Sequence, residues 1–191
     1  RIFKNPKKTV KALAKEIFRL TKSSVQDSIH ILLSGGNTPA LLFQKLSSKY
    51  AAEIDWERIH FWWGDERCVL PDNQQSNFKS ANDLLLSLVA IPAENIHRIK
   101  GEEIPEVEAN RYADEIKINL NFRGDSPVFD LVILGLGDDG HTASIFPDEL
   151  EVAAGRHDKL LAWFVLDRLK KAISVFFPGL LECEVEVFLP A

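Results

Sequence analysis

Cysteine is scarce in this chain of 191 residues: Cys68 and Cys183 stand far apart, outside any CxxC or Cys/His cluster. That scarcity argues against a disulfide framework and a thiolate zinc site, and it points to a reducing, cytoplasmic compartment in which both thiols are ordinary buried residues. Long apolar runs are missing as well. No stretch reaches the length of a bilayer span, and the first twenty residues alternate Lys with apolar side chains in a helical pattern, unlike a signal peptide. No membrane partner is expected. Clustered positive charge is confined to "KNPKK" near the start, and 23 basic against 28 acidic residues leave a net charge of −5. Nucleic acid is therefore not an expected partner. Linkers rich in Gly, Ser or Pro, low-complexity tracts and internal repeats are also lacking, so residues 1–191 read as a single domain large enough to bury a proper core. The chain opens on Arg1 rather than Met and is expected to lack its natural start.

What is present is a hydrophobic period that keeps switching between helix and strand. "TVKALAKEIFRLTKSS" carries Val10, Leu13, Ile17 and Leu20 at spacings of three and four, the stripe of an amphipathic helix. "SIHILLS" is a short branched apolar run ended by Gly35 and Gly36, and "TPALLFQKLSSKY" then reads as a helix with Thr38 as N-cap and Pro39 at its first position. The order repeats with "RIHFWWG" as strand, "SNFKSANDLLLSL" as helix, "NIHRI" as a brief strand, "PEVEANRYADEIKINL" as helix and "VFDLVILGLG" as a continuous apolar strand. "FRGDSP", residues 122–127, reads as a loop. Alternation of this kind predicts an α/β fold, a mainly parallel sheet covered by helices on both faces, because parallel strands need crossovers of about helix length.

In open parallel sheets ligands gather beyond the carboxyl ends of the strands, and three segments fall there. In "LLSGGNTPALL", Ser34, Gly35, Gly36, Asn37 and Thr38 precede a helix, a setting that suits an anion, above all a phosphate. The stretch is neither a Walker loop nor a GxGxxG fingerprint, and it also suits a plain βα turn with a good cap. In "FWWGDERCVLPDNQQSNF", Asp65, Glu66 and Arg67 directly follow a strand; Arg67 can fork onto a phosphate and Asp65 can orient a catalytic partner, or the triplet is a structural ion pair. Trp56, Trp62 and Trp63 read as core or pocket wall. In "LGLGDDGHTASIFPD", Gly135, Gly137 and Gly140 permit a tight loop that places His141 near a helix N-terminus, where a neutral ring able to accept a proton is favoured. Asp138 or Asp139 from the same loop, or Asp65 from the other, can then set its tautomer. A loop histidine bonded to backbone is the bland alternative. His30, His60, His97 and His157 lack this combination of glycine loop, acidic neighbours and sheet edge.

"LSGGNTP", "FWWGDERCV" followed by "SN", and "FDLVILGLGDDGHTASIFP", in that order, resemble the signatures of the 6-phosphogluconolactonase family over about residues 25–150. Glucosamine-6-phosphate deaminases are similar in the glycine turn but carry DEY where this chain has Asp65-Glu66-Arg67, and NGHIAFNEP where it has DGHTASIFP. The resemblance implies a three-layer α/β/α, Rossmann-like domain of the sugar-phosphate isomerase and deaminase group. It also implies hydrolysis of 6-phosphoglucono-δ-lactone in the pentose phosphate pathway, a small-molecule reaction needing neither metal nor organic cofactor. Past Pro147 the match weakens: "KAISVFFPGLLECEVEVFLPA" is similar to the family's next strand, with Lys171 near one of its arginines, Ala172 where the other would be and Ser174 for a threonine. The family's later glycine-lysine segment has no counterpart after Leu189, so the chain is expected to be incomplete at its C-terminus.

The expected roles follow. The turn Ser34–Thr38 and Arg67, helped by Lys171, hold the 6-phosphate; His141, oriented by Asp65 or Asp139, is the general base; backbone N–H groups of a glycine loop, Gly140 included, meet the oxyanion. A deaminase or isomerase acting on sugar phosphates and a non-catalytic sugar-phosphate sensor are the alternatives. The number of subunits is not legible in the sequence.

Overall fold

Helix α1 (Pro6–Ser23) begins where Pro6 occupies a first-turn position and the Asn5 side chain accepts a hydrogen bond from the Lys8 N–H at 3.0 Å. Its apolar stripe buries Val10, Leu13, Ala14 and Ile17, as the spacing predicts, and Leu20 is half-buried. In this computed structural model residues 3–138, 140–144, 161–166 and 171–176 are described. Strands β1 (Ile29–Leu33), β2 (Ile59–Trp63), β4 (Ile96–His97) and β7 (Leu131–Val132) form a parallel sheet in the order β4-β2-β1-β7. Helices α2 (Asn37–Lys45), α3 (Asn77–Leu84) and α4 (Pro105–Asn119) fall between them in sequence, so the α/β alternation is present. Helix α1 packs on α2 and α2 on α3, while α4 packs on the antiparallel pair β8 (Leu161–Leu166) and β9 (Lys171–Phe176). The core runs through β1 and β2, where Ile29, Ile31, Ile59 and Phe61 are fully buried; each such side chain contributes about 1.5–3 kcal/mol of transfer free energy. Trp62, Trp63 and Trp56 belong to this core, not to an exposed stacking surface. No helix among the described residues is long and apolar enough to cross a membrane.

Four local expectations need correction. Helix α2 starts at Asn37 with Gly36 as its cap residue and no side-chain cap, so Thr38 is not the N-cap and Pro39 is the third residue. Gly36, at φ 106° and ψ −178°, turns the chain into the helix directly, a backbone that a side chain would resist. Asp65–Arg67 is not loop but a short strand, β3, antiparallel to β9 with Arg67 opposite Ala172. "FRGDSP" forms a hairpin, β5 (Phe122–Arg123) and β6 (Ser126–Pro127), because Gly124 at φ 60° supplies the turn. The stretch expected as one long strand pairs only at Leu131–Val132, extended by hydrogen bonds from the Asp130 N–H to the His30 carbonyl and from the Ile133 N–H to the Leu32 carbonyl. β1 is its one neighbour among the described residues, and most of it is half-buried.

Three histidines, one on each of β1, β2 and β4, come together through register and side-chain contact. His30 pairs with His60 across β1 and β2, and Trp62 with His97 across β2 and β4. His97 Nδ1 lies 2.7 Å from Glu115 Oε1 on α4, and His97 Nε2 lies 3.0 Å from His60 Nδ1. With Glu115 accepting, His97 Nε2 is the acceptor for the His60 Nδ1–H. The Trp62 Nε1–H donates to His30 Nδ1 at 3.1 Å, and Trp62 stacks on His97 with ring centres 3.8 Å apart. Tyr112 of α4 completes the layer: its hydroxyl accepts from the Trp63 N–H at 2.8 Å and donates to the Trp63 carbonyl at 3.0 Å.

Candidate active site

At the carboxyl ends of β1 and β2 the chain turns within a few residues of the core. Gly64 donates its N–H to the Leu33 carbonyl at 2.8 Å, which brings the exits of both strands together and sets Ser34 beside Asp65 at one cleft. The cleft offers about 200 Å³ and opens to solvent. Ser34, Gly35, Gly36, Asp65, Arg67 and His141 all line it. Asn37 and Thr38 stand at the start of α2 and do not line it. With Gly36 as the cap residue, no side chain satisfies the first-turn N–H groups of α2, a favourable end for an anion.

Asp65 is the buried centre of this arrangement, 3% exposed. Its carbonyl accepts from Asn77 Nδ2 at 2.9 Å, and its Oδ2 accepts from the Ser144 hydroxyl at 2.8 Å. Burial pushes its carboxyl above the ordinary value, and the Ser144 bond, the Arg67 guanidinium, His141 and Asn77 pull the other way. Glu66, next along β3, faces the opposite task. Its carboxylate accepts from the Arg67, Asn77 and Phe78 N–H groups and from the Ser76 hydroxyl, closing the N-terminus of α3. Burial still raises Glu66 above its usual value against those four donors. Strand β3 therefore divides its labour: Glu66 holds the scaffold while Asp65 and Arg67 face the cleft.

The histidine loop crosses the other side. The Gly137 N–H donates to the His141 carbonyl at 2.8 Å and the Gly140 N–H to the Gly137 carbonyl at 2.9 Å, with Gly140 at φ 86°. Gly135, Leu136, Gly137 and Ala143 line the cleft with His141; Asp138 and Gly140 are exposed and do not. Asp139 lies outside the described residues, as does the helix expected after His141. Lys171 places its backbone in β9, one residue from the partner of Arg67, and its side chain is likewise outside the description. Among the described residues no group of three or more His, Cys, Asp or Glu is placed to hold a metal ion.

Two residues, Asn77 in the cleft and Ser144 behind Asp65, escaped the reading of roles from sequence. Asn77 lines the cleft and explains why residue 35 is glycine: a Cβ there would meet Asn77 Oδ1 at 2.0 Å. Its one sequence signal is the Ser-Asn step at the start of a helix. Ser144 carries no signal beyond its place in the stretch DGHTASIFP, since its partner lies 79 residues away.

A family model described as glucosamine-6-phosphate isomerases/6-phosphogluconolactonase matches residues 4–189. The 6-phosphogluconolactonase of Haemophilus influenzae is 48% identical over 128 residues, 66% of this chain and 53% of that protein. The chain thus spans about half the length of the curated relatives it matches. A crystal structure titled devB protein superimposes with a TM-score of 0.81 at 41% identity, covering 92% of this chain and 72% of that one. The 6-phosphogluconolactonase structure from Thermotoga maritima gives a TM-score of 0.74 at 30% identity, covering 92% and 75%. A parallel sheet with flanking helices, a cleft at the strand ends and these matches together establish that the chain belongs to the glucosamine-6-phosphate isomerase/6-phosphogluconolactonase family.

Proposed function

We propose that the protein is a cytoplasmic enzyme that hydrolyses 6-phospho-D-glucono-1,5-lactone to 6-phosphogluconate in the pentose phosphate pathway. The observation that carries this reading is that His141, Arg67, Asp65 and the turn Ser34–Gly36 line one cleft. The matched relatives named 6-phosphogluconolactonase support it. The 6-phosphate sits against Arg67 and the uncapped start of α2, with Lys171 as a further cation, and this grip places the C1 carbonyl beside His141. His141 takes a proton from water as the water oxygen bonds to C1. The oxyanion is met by a backbone N–H of a glycine that lines the cleft, Asp65 or Asp139 orients the imidazole, and His141 returns the proton to the ring oxygen as the C1–O bond breaks. Water is the sole co-reactant, so the reaction as written calls on neither metal nor organic cofactor. Two cysteines far apart in the sequence suit a reducing compartment such as the cytoplasm.

The test is steady-state lactone hydrolysis, corrected for spontaneous opening, by the wild type and His141→Ala. Loss of the base lowers kcat by about two to four powers of ten. A wild-type rate in the variant would remove His141 from the chemistry; release of ammonia from glucosamine 6-phosphate by the wild type would favour the deaminase instead.

A further inference from the structure

The His141 loop meets β3 through a buried hydroxyl. Ser144 is 7% exposed and donates to Asp65 Oδ2 at 2.8 Å. Asp65 is an anchor that cannot easily follow a moving loop. Its backbone is paired with Ser174 of β9, its carbonyl is held by Asn77 Nδ2, and Gly64 before it is tied to the Leu33 carbonyl. The loop, by contrast, contains a residue that resists its own conformation: Ala143 has φ 50°, a region that side-chain-bearing residues seldom occupy without an external hold. Ala143 stands between His141 and Ser144 and lines the cleft itself. The bonds within the loop, Gly137 to His141 and Gly140 to Gly137, shape the loop but do not attach it to β3.

We infer that Ser144 is a positioning residue: by docking its hydroxyl on Asp65 it holds the loop against β3 and so sets where the His141 imidazole stands opposite Arg67. The consequence for turnover rests on the lactonase reading above, whereas the hold on the loop does not. Phosphate binding through Arg67 and the start of α2 lies on other segments, so losing this hold disturbs kcat and leaves KM nearly alone.

Ser144→Ala and Ser144→Thr in the full chain test this with two readouts. Hydrogen exchange at the Gly137 and Gly140 amides is expected to rise about tenfold or more in Ser144→Ala, with the amides of β1 and β2 unchanged as the control for folding. The Thr variant, which keeps the hydroxyl, returns exchange toward the wild-type value. In lactone hydrolysis Ser144→Ala lowers kcat by about 10- to 100-fold with KM within threefold, and Thr restores most of the loss. Unchanged loop exchange in Ser144→Ala overturns the inference, as does a kcat within twofold of wild type or equal damage from Ala and Thr. Were the wild-type protein to open no lactone, the functional reading would fall and the exchange measurement would decide the hold by itself.

Discussion

Lowering the pH should weaken this fold through His30, well away from the cleft. The His30 ring accepts the Trp62 Nε1–H on Nδ1 at 3.1 Å, and its Nε2 lies 3.2 Å from the Ser28 hydroxyl, so adding a proton to Nδ1 would set two N–H donors against each other. Burial first, then the facing ring of His60, push His30 down to about 4; Asp130 pulls the other way, and His97 adds a smaller push down. Its folded value lies below the ordinary 6.5, so the unfolded chain takes up the proton first. The stability it contributes is present above about pH 6.5 and is lost as the pH falls from there through about 4. For a fully shielded ring that interval is equivalent to about 3 kcal/mol; His30 is partly exposed, and water screening reduces the expectation to about 1–2 kcal/mol. The perturbation is His30→Gln, which keeps an acceptor for Trp62 and does not titrate. Urea unfolding at pH 7.5 and 4.5 is the assay. Between the two pH values the wild type should lose about 1–2 kcal/mol more than the variant, roughly 0.5 M in midpoint. Comparing the two proteins cancels titrating groups remote from residue 30; His60, whose value burial also lowers, faces His30 and its coupling to that ring is part of the measured difference. Equal losses in the two proteins would refute the proposed tautomer lock.

Gly35→Ala should cost about 1–3 kcal/mol, because its Cβ would displace Asn77 from the Asp65 carbonyl; an unchanged Tm would show that Asn77 has somewhere else to go. Tyr112→Phe removes the acceptor of the buried Trp63 N–H, and urea midpoints should report a loss of about 1–3 kcal/mol at pH 7.5. Arg67→Ala should raise KM for the phosphorylated lactone by about 10- to 100-fold, the weight of a charged hydrogen bond, and leave KM for plain gluconolactone nearly unchanged; equal effects would take Arg67 out of the phosphate site.

The chain by itself determined the local parts. Val10, Leu13 and Ile17 specify one buried face of α1, the branched runs at 29–33 and 59–63 specify strands, and Gly35 and Gly36 mark a turn where a side chain is excluded. These are short-range matters of period and backbone freedom, legible in a window of a few residues. His141 was legible for the same reason, since its glycines and acidic neighbours are its sequence neighbours. Tertiary structure decided whatever depends on a distant partner. Asp65–Arg67 became a strand because β9 supplies a ladder more than a hundred residues away. Glu66 became the closure of α3 rather than an ion-pair member, and the three histidines came together through strand register and side-chain contact, which have no local signal. Ser144 meets Asp65 for the same reason: a hydrogen bond across 79 residues exists only after the sheet has folded and brought two strand ends to one cleft.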